Sequence, residues 1–352
     1  MKKFEILPRV LRAVVLLFLF PLMAFSADPP AIPDGWSDGF VYGNGIRIHY
    51  YHAVPAPNKP VMVMVHGITD NGLCWTALTW KLQNDYDIYM LDARGHGLSD
   101  PFTPSDNGET LIKDVVAFVK AMQFEKPIIV GHSMGAATVM RVGADYPDLA
   151  QSVIMLDPFV SRPGGNPGVA PRGAARPTPP AAPAGAATQT APPSRPAAPA
   201  APARNQAPAG QQSANLSVNM MGTPETLVKQ NNYRYEDLVA QGRRQNPKWG
   251  DVDVAYWALS KKQYHGAYTQ EGSQAMTGTM QTGDALARIT VPSLILKADG
   301  SPESRKANED AVKDLPKVTL VHIDGAAHNL HHDDLERTTK EITQFLGKNK
   351  AN

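Results

Sequence analysis

Short, nearly continuous apolar runs recur along the chain at 61–65, 88–91, 128–130, 153–156, 294–296 and 318–323. Each is only a few residues long and built mainly from Val, Ile, Leu and Met. Runs of this kind suit strands covered on both faces, as in a parallel sheet. Helical stretches separate them at 110–122, 134–146 and 336–346. The alternation predicts an α/β fold with a doubly wound, mostly parallel sheet. Ahead of it, 40–42 and 46–51 flank Gly43-Asn44-Gly45, a sequence suited to a tight hairpin turn. Residues 216–283 break the rhythm, being polar, aromatic and helix-like between two strands. A helical cap over the carboxyl edge of the sheet is expected there.

Two further segments depart from the pattern. Lys2, Lys3, Arg9 and Arg12 precede an apolar run over 13–25, broken only by Pro21 and followed by Ser26. A basic region, a short apolar stretch and small residues at Ala24 and Ser26 read as an export signal cut after Ser26. The run falls short of the roughly 20 residues a spanning helix needs, so export with cleavage, leaving no stable membrane span, is expected ahead of the alternative, an uncleaved membrane anchor. The second segment is 161–215. Over its first 50 residues, 29 are Pro or Ala, six are Gly and five are Arg, with no acid. It has few large apolar side chains to offset its ordering entropy and is expected to be disordered. The expected organisation is a signal at 1–26, a core at 27–160 and 284–352, the insert at 161–215 and the cap at 216–283.

Charge adds less. The chain of 352 residues has 34 Lys and Arg against 33 Asp and Glu, net +1. That balance offers no footprint for nucleic acid. Without the signal the net charge is −2, and without the Arg-bearing insert about −7, so the insert is a basic tether on an acidic body. It reads as a tolerated surface insertion, with a wall or partner contact as the sharper alternative. A single cysteine, Cys74, excludes an intrachain disulfide and a cysteine-built zinc site.

Four motifs carry chemistry. Gly131-His132-Ser133-Met134-Gly135 follows the run at 127–130 and precedes a helix, the strand–turn–helix setting of a G-x-S-x-G nucleophile elbow. The flanking glycines leave room for a turn that lifts the Ser133 hydroxyl off the sheet. Val65-His66-Gly67-Ile68 closes the first long core strand, and the amides of Ile68 and Met134 are expected to form an oxyanion hole. His66 is expected to order that loop and take no part in proton transfer. The glycine-rich loop at 92–100 reads as structural. Gly325-Ala326-Ala327-His328-Asn329 follows the last strand and positions His328 to reach Ser133 as general base. His331 and His332 fall at the start of the final helix, a solvated or capping position, and with Asp333 and Asp334 lack the spacing of a metal site.

These pieces, in this order, resemble the α/β-hydrolase superfamily over everything but the signal and the insert. The resemblance implies a serine hydrolase of the esterase type with a helical cap, needing no cofactor, and a Ser, acid, His order along the chain. The acid departs from the usual pattern. In Leu294-Ile295-Leu296-Lys297-Ala298-Asp299-Gly300-Ser301, Ser301 stands where many such hydrolases carry Asp. Asp299, just off the seventh strand, is the first choice; Asp157, after the sixth, is the alternative, and Glu303 the third. The resulting expectation is an exported, periplasmic or secreted enzyme that cleaves small-molecule carboxylic esters through an acyl-enzyme. Epoxide-opening and dehalogenating chemistries want a carboxylate at the elbow, where serine stands. A non-catalytic binder on the same scaffold is the competing class, disfavoured by the intact nucleophile, base and oxyanion turn. Lactonase, peroxidase and carbon–carbon bond hydrolase chemistries remain alternatives on the scaffold.

Overall fold

Eight strands form one sheet in the order β1-β2-β4-β3-β5-β6-β7-β8, in a computed structural model that describes residues 28–160, 224–266 and 269–349. The export signal read at 1–26 and the insert read at 161–215 lie outside the described residues. β1 (Ser37–Gly43) and β2 (Ile46–His52) are the hairpin, paired antiparallel with Gly43 opposite Ile46. Its two-residue loop has positive φ at both Asn44 (48°) and Gly45 (81°), the backbone that a twisted hairpin requires. β3 (Val61–Val65), β4 (Asp87–Leu91), β5 (Ile128–His132), β6 (Ser152–Leu156), β7 (Ser293–Ala298) and β8 (Val318–Ile323) are parallel to one another, and β2 joins β4 antiparallel.

The central strands β3 to β6 are buried along nearly their whole length because helices cover both faces. Alternate residues divide between two cores. Met62, Met64, Met90, Val130, Leu156 and Leu296 pack on one face, with α1 (Thr76–Leu82) and α11 (Leu335–Lys348). Val63, Val65, Leu91, Ile129, Met155 and Ile295 pack on the other, with α2 (Thr110–Ala121) and α3 (Met134–Asp145). Each such side chain contributes about 1.5–3 kcal/mol by leaving water, so the sheet sits at the most stable place in the molecule.

Between β6 and β7 the chain forms α4 (Pro224–Asn232), α5 (Tyr235–Gln245), α6 (Asp251–Gln263), α7 (Gln270–Thr279) and α8 (Ala285–Arg288). α9 (Pro302–Val312) joins β7 to β8, and α10 (Leu330–Asp333) precedes the last helix. Several contacts tie the inserted helices to loops at the carboxyl ends of the strands. Lys261 Nζ of α6 donates to Thr69 O and Oγ1, both at 2.8 Å, and pairs with Asp70 at 3.0 Å. Trp249 Nε1 donates to Asp333 at 2.8 Å, and Lys248 Nζ to Gly325 O at 2.6 Å. Among the described residues no helix is long and apolar enough to cross a membrane.

Candidate active site

The parallel order brings the ends of β3, β5, β6, β7 and β8 to one edge, where loops carry the polar side chains. Ser133 ends β5 with φ 52° and ψ −112°, a backbone conformation that non-glycine residues rarely adopt. The turn is closed by glycines for steric reasons. A Cβ on Gly131 would stand 2.2 Å from Gly135 O, and one on Gly135 would stand 2.1 Å from Val65 O. Both obstructions are backbone and cannot swing aside. Gly135→Ala is therefore expected to cost about 3 kcal/mol or more, or to abolish soluble expression, as an overpacked core does. Gly347→Ala, on a helix with open space around it, is the control and should gain about 0.5–1 kcal/mol. Chemical denaturation midpoints check both.

His328 lies in the loop after β8, its Nε2 2.9 Å from Ser133 Oγ. Its Nδ1 is 2.6 Å from Asp157 Oδ2, at the end of β6. With Nδ1–H donating to the carboxylate, Nε2 is left as an acceptor for the serine hydroxyl. The three side chains form one hydrogen-bonded chain. Burial favours the neutral acid at Asp157, but the His328 hydrogen bond and the charge of Lys297, 2.6 Å from Oδ1, hold it well below the usual carboxylate range.

Asp299, the first choice for the acid from sequence, is not on the imidazole. Its carboxylate is exposed and accepts from Gly325 N at 2.9 Å and Gly300 N at 2.8 Å, bonds that also draw its pKa down. Its own N–H donates to Ala326 O at 2.9 Å. Asp299 therefore braces the backbone of the loop that bears His328. Asp157 takes the other position for two reasons. β6 is the neighbour of β5, so the Ser133 N–H bonds Leu156 O at 3.0 Å. In addition, Asp157 has φ 47°, a left-handed turn, and the Ala298 N–H fixes Oδ1 at 3.1 Å. Glu303 lies exposed in the first turn of α9, its carboxylate facing Ser301. Ser301 itself caps that helix.

The expected oxyanion residues come together. Met134 is the first residue of α3, where a helix leaves its N–H groups without intrahelical partners. Ile68 follows β3 in a turn closed by Asp70 N to Gly67 O. The side chains of Met134 and Ile68 share an apolar cluster with Leu227, Tyr264 and Met276 from the inserted helices. His66 has both ring nitrogens committed, Nδ1–H to Gly67 O at 2.7 Å and Nε2 accepting from Ala93 N at 3.0 Å. It orders the loop. Burial lowers its pKa, consistent with that neutral tautomer. The 92–100 loop is likewise held from within: buried Asp92 accepts from Gly72 N, Leu98 N and His49 Nδ1. Buried Arg94 pairs with Asp106 and Asp114.

His331 and His332 are buried, contrary to the solvated position expected of them. They form their own short helix, α10, which turns them inward. His332 Nδ1 pairs with Asp253 of α6 at 2.8 Å, and the His331 ring packs 4.7 Å from His132 and 4.8 Å from Trp75. Trp75 is itself fully buried. His132, beside the serine, donates Nε2–H to His328 O at 3.0 Å, and burial, with His328 nearby, pushes its pKa down to about 3. Of the aromatic residues read into the cap, Tyr235, Tyr256 and Tyr264 are buried packing, Tyr233 is exposed, and Tyr268 lies outside the described residues. Among the described residues no three His, Cys, Asp or Glu side chains cluster as metal ligands would.

Sequence reasoning passed over Lys261, Asp70 and Lys297. Signals existed for both lysines. Lys261 lies on the buried stripe Val254, Ala258, Lys261 of α6, and Lys297 directly follows the fully buried 293–296 of β7.

Comparison with known proteins agrees with this fold. The sequence profile described as the alpha/beta hydrolase fold matches residues 60–335. N-formylmaleamate deformylase of Pseudomonas putida is 35% identical over 127 residues, 36% of this chain and 47% of that protein. The 2-(acetamidomethylene)succinate hydrolase of Mesorhizobium japonicum is 34% identical over 98 residues, 28% of this chain and 35% of that protein. The chain thus spans under half the length of these two relatives. Epoxide hydrolase 1 of Caenorhabditis elegans is 20% identical over 328 residues, covering 91% of this chain and 73% of that one. Among solved structures, E-2-(acetamidomethylene)succinate hydrolase superposes with a TM-score of 0.60 at 19% identity, over 89% of this chain and 99% of the other. At that identity the superposition speaks for the fold alone. Profile, sheet order and elbow agree, and the chain belongs to the alpha/beta hydrolase fold family.

Proposed function

We propose that this hydrolase is a serine enzyme that cleaves carboxylic esters, with Ser133 as nucleophile, His328 as general base and Asp157 as the acid that orients it. The observation that carries the reading is the unbroken chain from Ser133 Oγ through His328 to Asp157, with links of 2.9 and 2.6 Å. Ser133 attacks the acyl carbonyl as its proton passes to His328 Nε2. The amides of Ile68 and Met134 receive the developing oxyanion. The imidazolium then protonates the leaving alcohol, and water repeats the sequence on the acyl-enzyme.

The serine at the elbow argues against epoxide opening by way of an enzyme ester, despite the epoxide hydrolase relative, because that route needs a carboxylate nucleophile. The deformylase and acetamidomethylene relatives favour a second reading at the same residues, cleavage of N-acyl bonds. The apolar cluster of Ile68, Met134, Leu227, Tyr264 and Met276 favours a moderately apolar substrate. The basic, apolar start of the chain supports export to the periplasm or beyond; the Pro/Ala/Arg insert reads first as a tolerated surface insertion, with a wall or partner contact as the alternative.

The test is reaction of the full chain with a fluorophosphonate, mass mapping of the adduct, and a turnover panel. The panel holds p-nitrophenyl esters of graded acyl length beside N-formyl and N-acetyl anilides. The expected result is one adduct on Ser133 and turnover of short to medium esters. An adduct elsewhere, or none, defeats the reading. Turnover of the anilides above the esters would select the second.

A further inference from the structure

Lys297 is the one charged residue of β7, following four fully buried positions. Its ammonium lies 2.6 Å from Asp157 Oδ1 and donates to Pro158 O at 2.8 Å. The opposite oxygen, Oδ2, is the one that receives His328 Nδ1. The carboxylate that orients the imidazole is therefore shared with a fixed cation, held from the neighbouring strand. Both lysine and aspartate side chains are largely shielded from water (16% and 11% exposed), so bulk screening of their pairing is weak.

We infer that Lys297 is a positioning residue which, by holding Asp157 Oδ1 and offsetting part of the carboxylate charge, weakens the pull of that carboxylate on a His328 imidazolium and so favours the proton-accepting form of the ring. The inference rests on the serine-hydrolase reading. A bare carboxylate would fix the same tautomer but would stabilise an imidazolium more strongly. The ammonium lessens that stabilisation while its hydrogen bonds hold Asp157 Oδ1 and the Pro158 carbonyl in place.

Other groups facing the chain do not supply this charge. His132 from β5 is 4.9 Å from His328, ring to ring, but burial keeps it neutral. His331 from α10 packs on His132, and burial lowers its pKa too. His322 of β8 stands opposite Lys297 in register, its pKa lowered by burial and by Arg305. Arg305 of α9 is engaged with Asp299 and Asp324. Lys297 is the cation in contact with the acid.

A unit charge several ångströms away, at an effective dielectric of about 20, moves a proton equilibrium by roughly one pH unit. The experiment measures fluorophosphonate inactivation rates of the full chain across the ascending limb of its pH profile, for wild type, Lys297→Met, Lys297→Gln and Lys297→Arg. In Lys297→Met the limb should move about one unit toward alkaline pH, with the rate at the wild-type midpoint falling several-fold and the alkaline plateau nearly kept. Lys297→Arg, which keeps the charge, should stay near wild type. Thermal melts report folding, and if Lys297→Met does not fold, Lys297→Gln carries the same reading. An unmoved limb in the neutral variants, or an equal loss at every pH, overturns the inference and leaves the nucleophile assignment standing. Labelling that persists in Ser133→Ala defeats the assignment itself, which is a distinguishable result.

Discussion

Ser133→Ala is expected to lower kcat by about six orders of magnitude on any substrate that the panel identifies, and to abolish fluorophosphonate labelling. Loss of a triad nucleophile typically costs about 10⁶-fold, or roughly 8 kcal/mol of transition-state stabilisation. The remaining rate would come from substrate binding and from the amides of Ile68 and Met134, which the substitution leaves in place. Stability should hardly change. The Oγ makes its hydrogen bond to His328 Nε2 at the site, and its removal orphans no other buried group. The left-handed backbone of the turn is imposed by the approach of Gly131 to Gly135 and of Gly135 to Val65, not by the serine side chain. Steady-state kinetics and a thermal melt of the same preparation check both halves. Activity above about one per cent of wild type would mean that the reacting group is elsewhere.

Much of this was legible in the sequence because it rests on local backbone constraints. The elbow needs glycines on both sides of Ser133 wherever it occurs, and the hairpin needs positive φ at Asn44 and Gly45. The central strands were legible because burial on both faces leaves a nearly unbroken apolar run, and the six runs became β3 to β8, the edge strand β8 being only partly buried. His328 was legible from its place in a small-residue loop after the last strand. What sequence could not settle was a choice between side chains whose loops end near one another. Asp299 and Asp157 both leave the sheet at its carboxyl edge, and no local rule says which turns toward the imidazole. That choice depends on the φ of Asp157, on the Ala298 N–H that holds Oδ1, and on Gly325 drawing the Asp299 carboxylate to the backbone. His331 and His332 were misplaced for a related reason. A break at Asp334 separates α10 from α11, so the two rings turn toward Trp75 and Asp253.

The inserted helices contact the loops on either side of Ser133. Lys261, 4% exposed, has its ammonium on Thr69 and Asp70, and Thr69 has φ 62° beside the expected oxyanion residue Ile68. Burial alone would raise the Asp70 pKa; the Lys261 charge and hydrogen bond, together with the nearby His132 and His66, bring it below the ordinary carboxylate value. At the far side, Trp249 holds Asp333, whose second oxygen accepts from Ala327 N at 2.7 Å, next to His328. The same segment thus touches both the turn that carries Ile68 and the loop that carries His328.

The two aspartates give the sharpest contrast. Asp157→Asn is expected to lower kcat by about 10⁴-fold, roughly 5 kcal/mol, with KM little changed. The amide can present its NH₂ to His328 Nδ1, which favours the tautomer with the proton on Nε2, the nitrogen that must accept from Ser133. It also leaves Lys297 without its counter-ion, so a modest fall in melting temperature should accompany the kinetic loss. Asp299→Asn should lose less than tenfold in kcat. An asparagine oxygen can still accept from Gly325 N, and the backbone bond from residue 299 to Ala326 O is untouched by the change. Its effect is on how firmly the base loop is held, so it should show as a small drop in melting temperature. Kinetics of the two variants at one temperature, well below both melts, separate the roles. If Asp299→Asn proves the more damaging by orders of magnitude, the acid runs through β7 after all and the Asp157–His328 contact is a resting-state arrangement.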